Sequence, residues 1–308
     1  MSSSPHDHRQ VQILMCTRNG APWIEEQLDS FLGQTYPQWS LWVSDDGSDD
    51  NTLSILHRFA EKHPGRVARI ITGPGRGSAA NFLHLICHPD LPLGIVALSD
   101  QDDVWMPDKL ARATSQLRSE GDAPCVWSAR YFFNDASLGR PKPSPLWPRP
   151  PSLGNAVAQN ILSGHTLTLN AAALQIIRKA GPVEVPHHDW WIYLLMTATR
   201  ARVLCDPHIA LHYRQHGHNT VGKRAGAQAR QTRVLQLSQG VYHSWVATNL
   251  RALRNAPVTL TPEAAAFLDR WLNAGRWEKI RIMQEYDIHR QSRAETALIY
   301  LAAALGRL

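Results

Sequence analysis

Four short apolar runs, each breaking off in a polar cluster, constrain the fold of this chain more than any other feature. "VQILMC" (11–16), "LWVS" (41–44), "VARIIT" (67–72) and "GIVALS" (94–99) read as buried strands. Segments of helical periodicity follow them at 22–33, 51–62, 78–87 and 107–119, the last opening with Pro107 where a first helical turn tolerates it. This alternation predicts an α/β chain with a mostly parallel sheet flanked by helices. The strands end in "TRNG", "DDGSDD", "GPGRGSAAN" and "DQDD". Open parallel sheets bind ligands beyond the carboxyl ends of their strands, so the four clusters are expected to meet in one site.

The most demanding cluster is "LSDQDDVW" (98–105), with Asp100, Asp102 and Asp103 inside four positions. Crowded carboxylates repel one another unless a cation sits among them. A divalent ion with a preference for hard oxygen ligands, Mg²⁺ or Mn²⁺, is the expected occupant; a solvated turn capping the next helix is the alternative. In "VSDDGSDDNT" (43–52), Asp45 or Asp46 suits a ribose hydroxyl or a base N–H, or else the acids cap the helix near Asn51. "GPGRGSAANF" (73–82) has glycines that let amides approach an anion at a helix N-terminus, yet matches neither common phosphate-loop pattern.

Beyond residue 120 the pattern changes. "CVWSARYFF" and "ILSGHTLTLN" read as strands, "AAALQIIRKAG" as a helix closed by Gly181, and "HDWWIYLLMTAT" as a further helix. Between the two strands, "GRPKPSPLWPRPPSLG" (139–154) is a long loop, either a lid or acceptor loop or a rigid excursion. His212, His216 and His218 in "HYRQHGHN" could suggest zinc, but Gly217 and the strand-like run before it argue against an HxxxH pair on a helix face. Residues 223–308 are expected to form a helical C-terminal region, and residues 1–10 a disordered N-terminus without the apolar core of a signal peptide. No apolar run approaches the roughly 18–20 residues that span a bilayer, so a cytoplasmic chain touching a membrane at most peripherally is expected. Net charge is +6, and the basic stretch "GKRAGAQARQTRVL" (222–235) is either a solvated helix face or a contact for anionic lipid. Four scattered cysteines without a CxxC pair point to buried, reduced thiols.

The ordered series "TRNG", "DDGSDDNT", "GRGSAANF", "DQDDVWMPDKL", "SGHTLTLN", "HHDWW" and "YRQHGHNTVG" resembles glycosyltransferase family 2, and within it the bacterial rhamnosyltransferase-like members. The resemblance covers about residues 10–222. It implies a GT-A-like catalytic domain over 11–222, with a nucleotide-sugar half (11–120) and an acceptor half (121–222). It further implies inverting transfer of a sugar from a dTDP- or UDP-linked donor, with dTDP-rhamnose first among them, to a glycan or lipid-linked glycan of a bacterial surface polysaccharide. Carried over by position, Thr17, Asn19, Asp46, Asn81 and Asp100 line the nucleotide-sugar site, and Asp102 holds the metal, with Asp100 acting through water. Arg214 and His216 approach the diphosphate or the metal. Asp189 takes the catalytic-base position, with His188, where the family often has an acid, as the alternative. Gly164, Trp190 and Trp191 fall on the acceptor side, although the two tryptophans also begin an apolar helix.

The chemistry suits these residue types. A sugar hydroxyl needs a carboxylate within hydrogen-bond reach, and a departing diphosphate needs a cation to stabilise its charge. Other classes remain open on sequence alone. A dehalogenase-type phosphatase carries its DxD after an early strand, whereas here it lies a hundred residues in. A nucleotidyltransferase has a Gly-rich, basic N-terminal loop that "CTRNG" lacks. A basic membrane- or nucleic-acid-binding protein explains the charge but not acids at strand ends, which repel phosphates; no nucleic-acid partner is expected.

Overall fold

The computed structural model describes residues 10–216 and 240–307. The expected disordered N-terminus, apart from Gln10, the boundary near residue 222, His218 and the basic stretch 222–235 lie outside them.

The first half alternates as the apolar runs require: β1 (Val11–Thr17), α1 (Ile24–Leu32), β2 (Trp39–Asp45), α2 (Thr52–Lys62), β3 (Val67–Thr72), α3 (Ser78–Ile86), β4 (Ile95–Ser99), β5 (Val104–Trp105) and α4 (Lys109–Ser119). The second half continues with β6 (Cys125–Asn134), β7 (Lys142–Pro143), α5 (Leu153–Ala158), a 3₁₀ turn (Gly164–Thr166), β8 (Thr168–Leu169), α6 (Ala171–Ala180), α7 (His188–Ala198) and β9 (Arg202–Arg214). Four helices follow: α8 (Val241–Asn255), α9 (Pro262–Asn273), α10 (Arg276–Glu285) and α11 (Arg293–Ala304). The sheet order is β3-β2-β1-β4-β8-β6-β9-β5, with β7 on β6. β1 pairs parallel with β2 and β4, β2 with β3, and β6 with β9, while β8 runs antiparallel between β4 and β6.

Every residue of β1, β2 and β4 is buried, because helices cover both faces of the sheet. Side chains alternate between two cores: Ile13, Met15, Leu41 and Val43 face α1, α2 and α4, whereas Leu14, Val96 and Leu98 face α3, α6 and α7. Gln12, on the second face, is satisfied inside it, accepting from Ser40 Oγ at 2.6 Å and Trp42 Nε1 at 3.1 Å. β3, at the sheet edge, is half-exposed and carries Arg69 outward.

α7 explains the C-terminal helices. Its sequence is apolar on all sides, and such a helix needs cover all round. One side faces the sheet core; α5 and α8 cover the other, Trp190 donating to the Ala156 carbonyl and stacking on Tyr242, while Phe267, Trp271 and Ile282 of α9 and α10 extend the same core. Gly154 of α5 marks how closely these layers meet, since a Cβ there would lie 2.3 Å from the Asp287 carbonyl oxygen.

Several local expectations fail for identifiable reasons. "ILSGHTLTLN" is not one strand: only Thr168–Leu169 pairs, after a 3₁₀ turn in which Thr166 N bonds Ser163 O. β5 was hidden because two residues carry no periodicity; it pairs antiparallel with β9 through Val104–His212 and Trp105–Leu211. The tail end of the Pro-rich loop begins α5, capped by Ser152 Oγ on Asn155 N. Cys16 and Cys125 are buried free thiols as expected, but Cys205 is exposed.

Gly154→Ala forces a backbone shift between α5 and the α10–α11 loop. It is expected to lower the unfolding free energy by about 1–3 kcal/mol, measured by urea denaturation.

Candidate active site

The strand ends build the site by bonding to one another. Thr17, last in β1, donates from Oγ1 to Asp45 Oδ2 at 2.7 Å, and Asp45 also takes Ser48 N and Ser48 Oγ. Asn19 sits at φ 52°, a left-handed conformation that asparagine tolerates better than most residues. It clamps two loops: its N–H donates to Ser48 Oγ at 2.8 Å and its Oδ1 accepts from Asp49 N at 3.0 Å. Gln101, unremarked in the sequence, ties the end of β4 to that of β1 through a two-way bond with the Arg18 backbone, both legs 2.9 Å. Gly20 leaves the room this needs, since a Cβ would fall 2.3 Å from Gln101 Oε1.

The glycine-rich loop receives an anion from within the chain. Asp46 accepts from Gly75 N at 2.6 Å and Gly77 N at 2.8 Å, so the amides ahead of α3 are already engaged. Asn81, one turn into α3, donates from Nδ2 to the Ser44 carbonyl and accepts from Ser44 Oγ.

Three basic groups of the chain surround the acid cluster. The Asp102 carboxylate lies 2.7 Å from His216 Nε2, and that imidazole stacks on Trp23 at 5.1 Å. Deeper in, His165 Nδ1 is 3.5 Å from both Asp100 and Asp103. Lys109, wholly buried, lies over the Trp105 ring and donates to the His165 carbonyl at 2.8 Å. Asp103 is fully buried and neither of its oxygens has a hydrogen-bond partner. Burial pushes its carboxyl well above the usual range, His165 opposing and Asp102 and Asp100 reinforcing the rise. Burial also pushes Asp100 up, but the hydrogen bond and charge of His165 outweigh it and hold that carboxyl low. The Lys109 ammonium is drawn well below its ordinary value by burial, against the pull of Asp103 and Asp100. Neither His165 nor Lys109 was singled out from sequence as a site residue. Lys109 left a trace, falling in register with Ala113 and Leu117 on the buried stripe of α4.

On the other side, Asp189 lies in the first turn of α7, where open amides favour a negative charge. It accepts from Trp190 N at 2.8 Å and Gly164 N at 3.3 Å. His188 stacks on Phe82 at 4.1 Å, and its Nε2 has no hydrogen-bond partner. Gly164 is the residue that admits this ring, for a Cβ there would stand 2.6 Å from His188 Nε2. Burial draws the imidazole below its ordinary value, against the opposing charges of Asp189 and Asp100.

A cleft of about 1610 Å³ brings together Thr17, Asn19, Asp46, Asn81, Asp100, Asp102, Gly164, His188, Asp189 and His216. Three expected residues do not line it. Arg214 lies behind the acid loop, 2% exposed, donating to the Asp102 carbonyl at 3.1 Å, Glu26 at 2.7 Å and the Ala136 carbonyl at 2.6 Å. Trp190 and Trp191 are core, not acceptor surface: Trp190 donates to the Ala156 carbonyl and Trp191 is wholly buried. On a helix, residues 190 and 191 turn away from the side that 189 presents, into the layer between sheet and C-terminal helices.

The donor set fits a divalent cation. The carboxylates of Asp100 and Asp102 are hard oxygen ligands on the cleft, and His216 Nε2 is close enough to Asp102 to share an ion with it. Asp100, Asp103 and His165 form a second group with ligand spacing, their donor atoms within 4.8 Å of one another.

Fold and cleft define a GT-A transferase architecture, a curled α/β sheet with its site at the strand ends. Residues 12–179 match Glycosyl transferase family 2, and the chain belongs to that family. This decides between the enzyme classes left open above in favour of a glycosyltransferase. Among its relatives is the dTDP-rhamnosyl transferase RfbG of Shigella flexneri, 28% identical over 239 residues, covering 71% of this chain and 78% of that protein. Similar solved structures include S. aureus TarS 1–349 in complex with UDP-GlcNAc, 14% identical with a TM-score of 0.57 over 90% of this chain and 80% of that one. The mannosyltransferase PcManGT from Pyrobaculum calidifontis, solved with GDP-Man and Mn²⁺, is 21% identical with a TM-score of 0.52 over 96% and 86%. No helix among the described residues is long and apolar enough to cross a membrane.

Asp46→Ala leaves the Gly75 and Gly77 amides without their acceptor. A loss of about 1–3 kcal/mol in unfolding free energy is expected, read from the urea midpoint at unchanged slope.

Proposed function

We propose that this glycosyltransferase moves rhamnose from dTDP-rhamnose to a glycan hydroxyl, with inversion and with Mg²⁺ or Mn²⁺, in bacterial surface polysaccharide synthesis. The observation that carries the reading is the presence of two separate acidic centres on one cleft: Asp102 with His216 beside Asp100, and Asp189 on α7. An inverting transfer needs both, one near the leaving diphosphate and one near the incoming hydroxyl.

In this reading Thr17, Asn19 and Asp46 form the nucleotide end of the cleft, where Asp46 offers its remaining lone pairs to base or ribose. Asn81 acts by holding Ser44 and with it the floor of β2. Asp102 and His216 would hold the divalent ion, with Asp100 as a further carboxylate beside them, and a cation held there would supply Lewis-acid stabilisation to the leaving diphosphate. Arg214 serves by fixing the loop that carries Asp102, not by touching the donor. Asp189, held by the Gly164 and Trp190 amides, accepts the proton of the attacking hydroxyl as the new bond forms. His188 is the weaker base, since burial disfavours its protonated form. Rhamnose is supported by the likeness to the dTDP-rhamnosyl transferase, and a divalent ion by the donor chemistry of Asp102 and His216. The acceptor in this reading is a growing, lipid-linked glycan, met by a cytoplasmic enzyme at the membrane surface.

Thermal unfolding with dTDP, UDP, GDP and ADP, with and without Mn²⁺, tests the donor end. At a hundred times its dissociation constant the preferred nucleotide adds about 2.7 kcal/mol. That gain is expected from dTDP, only with metal, and not in Asp102→Ala; a metal-independent response, or one to another base alone, rejects the corresponding part. Asp189→Asn is expected to keep the nucleotide response and lose about 10²–10⁴-fold in transfer rate, and unchanged turnover removes Asp189 from the base role.

A further inference from the structure

The pairing of β6 with β9 shifts register between Ala129 and Arg130 and again between Arg130 and Phe132. Irregularities of this kind re-aim side chains beside binding sites. Arg130 emerges there beneath the Pro-rich loop, and its Nε and Nη2 both donate to the Ser144 carbonyl, at 2.9 and 2.5 Å. Among the described residues no carboxylate lies within ion-pair distance of this guanidinium. The loop is fixed from three directions. Ser144 N donates to the Tyr131 carbonyl, Trp147 Nε1 to the Ile161 carbonyl at 2.9 Å, and Arg149 bonds Gln291 and Asp287 beyond α10. With prolines at 145, 148, 150 and 151 restricting φ, it stands as a wall along β6.

Between that wall and β6 lies a second cavity of about 310 Å³. Tyr131, Pro145, Trp147 and Ser163 line both it and the main cleft, so the two spaces adjoin. Trp147 is 36% exposed, with its orientation set by the bond to Ile161. Thus the two tryptophans expected to meet an acceptor are buried, and a third, from another segment, stands at the cleft.

We propose that this cavity is an acceptor subsite for a sugar bearing an anionic group, phosphate or carboxylate, with the ring against Trp147 and the anion at Arg130. The proposal rests on the transferase reading and names the chemistry of its second substrate. An indole face offers apolar area to the C–H side of a sugar ring, and an already oriented ring loses little entropy on binding. A guanidinium without an acidic partner matches the planar oxygens of carboxylate or phosphate. The volume is at the small end of ligand cavities, about 300–1,000 Å³, which suits a single sugar unit.

The full chain labelled with fluorotryptophan provides the test, its Trp147 resonance assigned by loss in Trp147→Phe. Glucose 1-phosphate, glucuronic acid, glucose and inorganic phosphate are titrated separately. Saturable movement of the Trp147 signal is expected with an anionic sugar, at an affinity about tenfold above glucose, and Arg130→Gln is expected to abolish that preference. Which of the two anionic sugars binds tighter identifies the substituent. The glutamine amide of this variant keeps a donor for the Ser144 carbonyl, and an unchanged melting temperature confirms that the variant is folded. No saturable shift with either anionic sugar, a preference that survives Arg130→Gln, or equal binding of inorganic phosphate alone overturns the proposal. A chain that is stabilised by a nucleotide yet leaves Trp147 silent refutes the subsite alone; absence of any nucleotide response refutes the transferase reading instead.

Discussion

Three carboxylates crowd the end of one buried strand, and the basic groups that surround them come from three separate elements, two of them distant in the chain. Lys109 arrives from α4, His165 from the turn before β8, and His216 from beyond β9. Each buried acid would be costly alone, and losing one partner of such a cluster leaves an uncompensated charge in a poor solvent for it. The cluster therefore ties β4 to α4, to the 3₁₀ turn and to the far end of β9. The repulsion written into "DQDD" is answered from inside the protein at its deep end, around Asp103. Toward the cleft, Asp100 and the Asp102–His216 pair line the ligand space.

The same mutual satisfaction runs through the other strand ends. Asp45 holds Thr17 and Ser48, Asp46 occupies the Gly75 and Gly77 amides, Asn19 clamps the loop after β2, and Gln101 locks β4 to β1. Most polar groups that looked like ligand contacts direct at least part of their hydrogen-bonding capacity to one another. The result is a floor whose shape is set before any ligand arrives, which is what electrostatic preorganisation requires.

Burial all round α7 has a comparable reach. Asp189 stands in its first turn, so the C-terminal layer that meets Trp190 through Tyr242 and Trp245 also anchors the second acidic centre. Pro-rich wall and C-terminal layer are joined by Arg149, Asp287 and Gln291, so the far side of the cleft and the core beneath it are one construction.

The sequence by itself determined the alternation of strands and helices, the mostly parallel sheet and the convergence of four polar clusters, because strand burial and helical periodicity are local and repeat often enough to be read. Motif order also pointed to Asp102, Asp189 and His216, which the structure brings to one cleft. The sequence was silent on His165, on the burial of Asp103 beside it and on the bond network of Gln101, and it set Trp190, Trp191 and Arg214 at the cleft, where packing does not put them. Those outcomes depend on which side of an element faces the cleft and on partners up to 188 positions away, as with Arg214 and Glu26. A side chain's type shows what it can bind, whereas packing decides what it meets. Only the tertiary structure settled that the basic groups lie among the acids, that α7 buries its aromatics, and that Trp147 stands in the open instead.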